Sequence, residues 1–275
     1  MVSSEQRRRQ LAREKYERQT ERRAAQAAAR KRRNTILGAS LAVVVLAGGG
    51  TLFATGAFES DDKKDTTAQA APTPTEPTVP TRKPVEGCGE AAPGTPNGKQ
   101  WPAEPAMTVD EKASYTAALD TNCGKVTLSL DAAKAPHTVN SFAFLAGEKY
   151  FDHTKCHRLT TGGIFVLQCG DPSASATNPG GTGGPGYKFA DENLTGATYP
   201  AGTVAMANSG PGTNGSQFFL VYKDTQLPPN YTPFGKITGG LDVLQKIAAA
   251  GTLEGKTDGH PMADVTFNSV TAAKG

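Results

Sequence analysis

Residues 206–219 read MANSGPGTNGSQFF, and the reading of this stretch decides the fold. It is built of small residues and asparagines, holds three glycines, and ends on a glutamine and two phenylalanines. Glycine takes up conformations closed to other residues, Pro211 fixes its own φ, and Asn208 and Asn214 bond to nearby backbone in turns. The aromatic and β-branched run QFFLVY (217–222) that follows reads as a strand. A tightly wound loop thus delivers amides and carbonyls beside an apolar wall at Phe219. No group in the loop titrates, so it suits gripping an extended peptide better than acid–base chemistry. An ordinary glycine-rich turn before a strand accounts for the composition equally well.

Outward from this loop, short strands dominate. SYTAALDTNCGKVTLSLD (114–131) reads as two strands around a turn at 121–124, with Val126, Leu128 and Leu130 alternating with polar residues. CHRLT and GIFVLQC follow as strands joined by residues 161–163, and after a glycine-rich loop at 170–186 come YKFADE, TVAMA and QFFLVY. VTFNSV (265–270) closes the chain. Two helices are expected, at 135–150 with Pro136 in its first turn and Gly147 as its stop, and at 239–251 ending on Gly251. Many antiparallel strands with two helices predict a mainly β fold, a barrel whose ends the helices cover.

MANSGPGTNGSQFF resembles the signature of cyclophilin-type peptidyl-prolyl cis-trans isomerases. HRLTTGGIFVLQCGD (157–171) and FGKI (234–237) match the same family in the same order, and the resemblance covers roughly residues 112–272. It implies a closed eight-stranded antiparallel barrel capped by two α-helices, acting on proline-containing proteins or peptides without a cofactor. By the same resemblance Arg158 is the catalytic arginine, oriented with the substrate carbonyl by Gln168 and Gln217. Phe165, Val166, Phe219 and Leu227 form the proline pocket, Tyr231 stands where the family usually has a histidine, and the backbone of Ala207 and Asn208 pairs with the substrate. The sequence departs from the pattern in places: the segment from Arg158 to Gln168 is longer by about two residues at 160–163, Val166 replaces a methionine, and Gln226 stands where many members carry a tryptophan that contacts cyclosporin. Read without the family, Arg158 is a surface or ion-paired arginine. A non-catalytic peptide-binding or chaperone module using the same groove is the alternative function, and a structural envelope protein is a further one.

Other motifs carry less. GGTGGPG (180–186) contains G-x-G-x-x-G, but no helix pattern opens on its last glycine, so a dinucleotide site is not expected. His153 and His157 are four apart on a loop-to-strand segment and share no helix face, so no metal site is expected. No serine stands in a G-x-S-x-G elbow. Four cysteines allow three pairings, with four free thiols as the other state. Cys156 and Cys169 flank a predicted hairpin at matching distance, and Cys88 in an N-terminal extension could be stapled to Cys123 in a turn. We therefore expect Cys156–Cys169 and Cys88–Cys123, in keeping with a domain outside the cell.

The first part of the chain is of another kind. Residues 1–33 carry twelve Arg/Lys and four Glu, a net +8, whereas the whole chain is only +3. With no motif or aromatic interleaving, this arm (1–35) is not expected to bind nucleic acid, and a membrane surface is the better anionic partner. Residues 36–58, ILGASLAVVVLAGGGTLFATGAF, hold no charge and can cross a hydrocarbon core of ~30 Å. Basic residues precede the run and acidic ones follow it, which places the N-terminus in the cytoplasm and the rest outside as a single-pass membrane protein. A cleaved signal peptide is the alternative, but the run exceeds the usual apolar region of a signal. Residues 59–87, with five prolines between 72 and 84, read as a disordered stalk reaching on the order of 90 Å if fully extended. Residues 88–111 read as an extension packed outside a domain spanning 112–275.

Overall fold

A computed structural model describes residues 81–175 and 177–275; the expected basic arm, the apolar run and most of the stalk lie outside the described residues. Nine strands form one antiparallel sheet: β1 Tyr115–Thr121, β2 Gly124–Leu130, β3 Arg158–Thr160, β4 Val166–Cys169, β5 Thr203–Met206, β6 Phe218–Val221, β7 Pro233–Gly239, β8 Asp258–Gly259 and β9 Phe267–Lys274. Their order is β8-β3-β4-β6-β5-β7-β2-β1-β9. Among the described residues two helices accompany the sheet, α1 Pro136–Gly147 and α2 Leu241–Ala249.

The expected closed ring of eight strands is corrected to nine strands in an open ladder. No ladder joins β8 to β9 among the described residues. The seam is crossed instead by irregular backbone. His153 donates to the Phe267 carbonyl at 2.7 Å, Phe267 to Thr154 at 3.0 Å and Cys156 to Val265 at 2.9 Å, and Lys155 bridges both Asp171 and Thr266. The additional strand is β8, the two-residue pair Asp258–Gly259, too short to show any alternation in sequence. The expected strand YKFADE is corrected as well. It makes only one bridge, Phe189 to Asn214, because its polar groups serve other partners.

Glu192 shows one such service. The residue before α1, Ala135, offers no side-chain cap. Glu192 fills the gap from a distant loop, taking the N–H of His137 at 3.1 Å and of Thr138 at 2.8 Å. The first N–H groups of a helix have no internal partner, and a carboxylate there also meets the positive end of the helix dipole. So held, α1 lays Phe142 against Phe151, Phe218 and Phe234, with ring centres 5.1, 5.5 and 5.6 Å away. Each fully buried ring of this kind is worth about 1.5–3 kcal/mol of transfer free energy.

The extension is strapped to the outside of the sheet. Cys88 is bonded to Cys123 in the β1–β2 turn, and Gly89 donates to the Asn122 carbonyl at 2.8 Å. Trp101 packs edge-on against Phe144 at 5.1 Å, and Asn140 Oδ1 accepts from Thr108 and Val109.

Candidate active site

Strand alternation builds the site. In β6 successive side chains face opposite ways. Phe218 enters the main core, while Phe219 joins a second apolar cluster with Val166, Tyr199, Ala205 and Val221 on the other face. Around that cluster Ile164, Ala207, Leu227 and Tyr231 are partly buried. A groove of about 140 Å³ opens over it, lined by Arg158, Ile164, Val166, Gln168, Ala207, Asn208, Phe219, Leu227 and Tyr231. It holds eight of the ten residues picked out as catalytic or substrate-binding.

The two others fall elsewhere. Phe165 is not among the lining residues, which corrects its expected place. It sits on the opposite face of the chain from Val166, packs against Tyr222 at 6.1 Å, and lies under the Lys223 ammonium at 4.5 Å. The pocket wall at this point is Ile164 instead, which shares the face of Val166 and Gln168. Gln217 lines an adjoining cavity of about 480 Å³ together with Gln168, Ala207, Asn208 and Gln100 of the extension.

The polar side of the groove is one chain of hydrogen bonds. Arg158 and Gln168 are register partners on β3 and β4, and Arg158 Nη1 donates to Gln168 Oε1 at 3.3 Å. Gln168 Nε2 donates to Gln217 Oε1 at 2.9 Å. Gln217 Nε2 donates to the Gly183 carbonyl at 2.9 Å and to Asp171 Oδ2 at 3.3 Å. The other edge of the guanidinium grips Asp258: Nε reaches Oδ1 at 2.8 Å and Nη2 reaches Oδ2 at 2.7 Å. The bond to Asp258 raises the Arg158 pKa above its usual value, and that same bond lowers Asp258.

Asp171 anchors the far end. Burial works to raise its pKa, but the Ser173 hydroxyl and the N–H groups of Gly183, Ser173 and Gly181 outweigh it and hold the carboxyl below its usual range. A Cβ on Gly183 would collide with this carboxylate. The quoted loop takes the expected form, with Gly210 and Gly212 at φ 131° and 67°. Asn208 Nδ2 holds the Asn230 carbonyl at 2.8 Å, and the Ala207 N–H goes to the Gln217 carbonyl at 2.9 Å. Tyr231 stands edge-on to Phe219 at 5.6 Å, its backbone tied on both sides to the Tyr199 hydroxyl. Both expected disulfides are present, and Cys156–Cys169 closes the β3–β4 hairpin beside Arg158 and Gln168. Among the described residues no cluster of side chains could hold a metal ion.

A family model described as cyclophilin type peptidyl-prolyl cis-trans isomerase/CLD matches residues 116–272, more than half of the chain. The chain belongs to this family. Its cyclophilin region is similar to proteins named "Probable peptidyl-prolyl cis-trans isomerase B" in Mycobacterium leprae, 52% identical over 174 residues, and in Mycobacterium tuberculosis, 48% identical over 174. These matches cover 58% of this chain, and 57% and 55% of the relatives, so the chain spans little more than half of their length. A Streptomyces anulatus protein named peptidyl-prolyl cis-trans isomerase B is 43% identical over 174 residues, covering 56% of this chain and 94% of that one. Among solved structures, a Cryptosporidium parvum cyclophilin type peptidyl-prolyl cis-trans isomerase matches with a TM-score of 0.51 at 26% identity, covering 59% of this chain and 99% of that one.

Beside that family pattern, sequence reasoning missed Ile164, Tyr199 and Asp258. Ile164 was within reach, since it precedes Val166 and Gln168 at the period of a strand. Asp258 gave no local signal: a carboxylate among Thr, Gly and Pro reads as a solvated loop.

Proposed function

We propose that the chain is a peptidyl-prolyl cis-trans isomerase acting on proline-containing proteins or peptides. One observation carries this reading: a guanidinium, Arg158, lines the same 140 Å³ groove as the apolar side chains of Phe219, Val166, Ile164 and Leu227. Isomerisation breaks no bond. It lowers a rotation barrier of ~18–20 kcal/mol that comes from amide resonance. In the twisted state the imide nitrogen regains its lone pair, so a donor aimed at that nitrogen binds the transition state better than either planar state.

The roles follow from position. The apolar floor takes the proline ring. Arg158 donates to the imide nitrogen of the twisted bond. Gln168 holds Arg158, and Gln217 holds Gln168. The Ala207 carbonyl and the Asn208 backbone meet the extended chain beside the proline, because the Ala207 N–H is already spent on Gln217. No proton moves in this scheme, and none of the groups in the groove needs to titrate near neutrality.

The place of action forms part of the proposal. The uncharged run at 36–58 after a basic arm supports a single membrane span with the isomerase outside the cytoplasm, where it would assist folding of exported proteins. Two disulfides agree with an oxidising compartment. Among the described residues no helix is long and apolar enough to cross a membrane.

The test is X–Pro exchange in a short peptide with the full chain and with Arg158→Ala. Acceleration by the full chain that falls at least 100-fold in a folded mutant supports the enzyme. No acceleration by a folded chain overturns it in favour of a peptide-binding module. Protease accessibility of residues 112–275 in intact cells tests the location.

A further inference from the structure

We propose that Asp258 is a positioning residue for Arg158, held at the groove by the β3–β4 hairpin. The inference rests on the isomerase reading and deepens it.

Three observations converge on this pair. The first is donor count. A guanidinium has five N–H groups in a rigid fork. In this chain Nε and one Nη2 hydrogen go to Asp258, and one Nη1 hydrogen goes to Gln168. The two hydrogens left, one on each Nη, are the only ones free for a substrate within this set of contacts. A bidentate pair on one edge fixes the plane of the fork, which a single bond to Gln168 at 3.3 Å does not.

The second is how Asp258 gets there. Residues 160–162 of the β3–β4 hairpin are where the loop carrying Asp258 docks. Thr161 donates to the Thr257 carbonyl at 2.8 Å, and Thr160 and Asp258 are register partners of β3 and β8. A Cβ on Gly162 would stand 2.9 Å from the Thr257 methyl, so glycine is what lets the two segments close.

The third is that the loop is held by bonds of its own, independent of the arginine. Thr252 Oγ1 accepts from the Lys256 N–H at 2.9 Å, Glu254 Oε2 accepts from the His260 N–H at 2.9 Å, and Leu253 donates to the His260 carbonyl at 2.8 Å. Asp258 therefore presents its carboxylate from a fixed frame.

A stability role fits poorly. The Arg158 and Asp258 side chains are 41% and 55% exposed, so solvent screening limits what even a bidentate pair adds to folding. Orientation is what such a pair can deliver, since a misplaced donor loses transition-state binding while leaving the apolar floor intact.

The experiment measures kcat and KM for X–Pro exchange with the full chain carrying Asp258→Ala, Asp258→Asn or Asp258→Glu, each with its urea midpoint. Asp258→Ala is repeated in an Arg158→Lys background, where no fork remains to be aimed. The expected result for Asp258→Ala is a kcat about 10-fold lower, KM within 2-fold, and an unchanged midpoint. Asp258→Asn falls between it and wild type, Asp258→Glu recovers part of the rate, and Asp258→Ala has under 2-fold effect in the Arg158→Lys background. An unchanged kcat in Asp258→Ala, or the same 10-fold loss in the Arg158→Lys background, overturns the inference while leaving the isomerase reading standing. A wild-type chain that does not accelerate exchange overturns both.

Discussion

Phe218 and Phe219 are neighbours in sequence but belong to different apolar clusters, one in the main core and one under the groove. The pleat of β6 makes this division, and under the proposed function it assigns stability to one position and binding to its neighbour. Phe218 stacks near Phe267 and meets Phe142 and Phe151 edge-on. Phe218→Ala should cost about 3–5 kcal/mol of unfolding free energy, as emptied aromatic core sites do. Phe219→Ala should cost less, and should raise KM for an X–Pro peptide at least 10-fold. Urea unfolding and exchange kinetics on both variants check the division. Equal losses of stability would contradict it.

The bond from Gln168 to Gln217 makes a second separation. Gln168 touches Arg158 directly, whereas Gln217 acts through Gln168 and is itself fixed by Asp171 and Gly183. Gln168→Ala should lower kcat about 10-fold. Gln217→Ala should lower it less, and the double variant should fall no further than Gln168→Ala, because residues in one network are not additive. Losses that multiply in the double variant would show that Gln217 contacts substrate independently.

The fold was legible where local pattern and long-range contact agree. β1, β2 and both helices follow from alternation and from Pro and Gly punctuation, and the Cys156–Cys169 pairing follows from the hairpin it closes. Reading failed where a tertiary partner decides. YKFADE has a strand's composition, yet Glu192 at its end is drawn to the start of α1. Likeness to the motif puts Phe165 in the pocket, but the period of two that sets Val166 and Gln168 on the groove face sets Phe165 on the other. Asp258 lies 100 residues from Arg158, and nothing near it in sequence announces the contact.

The Cys88–Cys123 bond closes a chain segment of 35 residues, and it ties down an extension with few other apolar anchors. In the loop-entropy account, a cross-link of that span stabilises by roughly 3–4 kcal/mol. Replacing both cysteines by alanine should lower the urea midpoint accordingly. It should leave kcat for a short peptide within about 2-fold, since the groove is lined by other segments. A loss of kcat matching the loss of stability would mean that the extension shapes the groove directly.

His157 links acid pH to stability through burial. The residue is 7% exposed, and neither ring nitrogen has a hydrogen-bond partner among the described residues. Burial lowers its pKa below 6.5. The unfolded chain then binds a proton near pH 6.5 that the folded chain refuses, so stability is full above that value and is lost as pH falls toward the folded pKa. Asp171 acts lower down: its folded pKa lies below 3.8, so its contribution holds above that value and is lost on further acidification. The His157 contribution to unfolding free energy should therefore begin to decline below pH 6.5, before any carboxylate titrates, while His137, raised by its bond to Glu104, works in the opposite direction and is the same in both proteins compared. In a His157→Phe variant the decline should start only near pH 4. Urea titrations at pH 7, 5.5 and 4 on the two proteins decide the matter: parallel curves would assign the early decline to a different group.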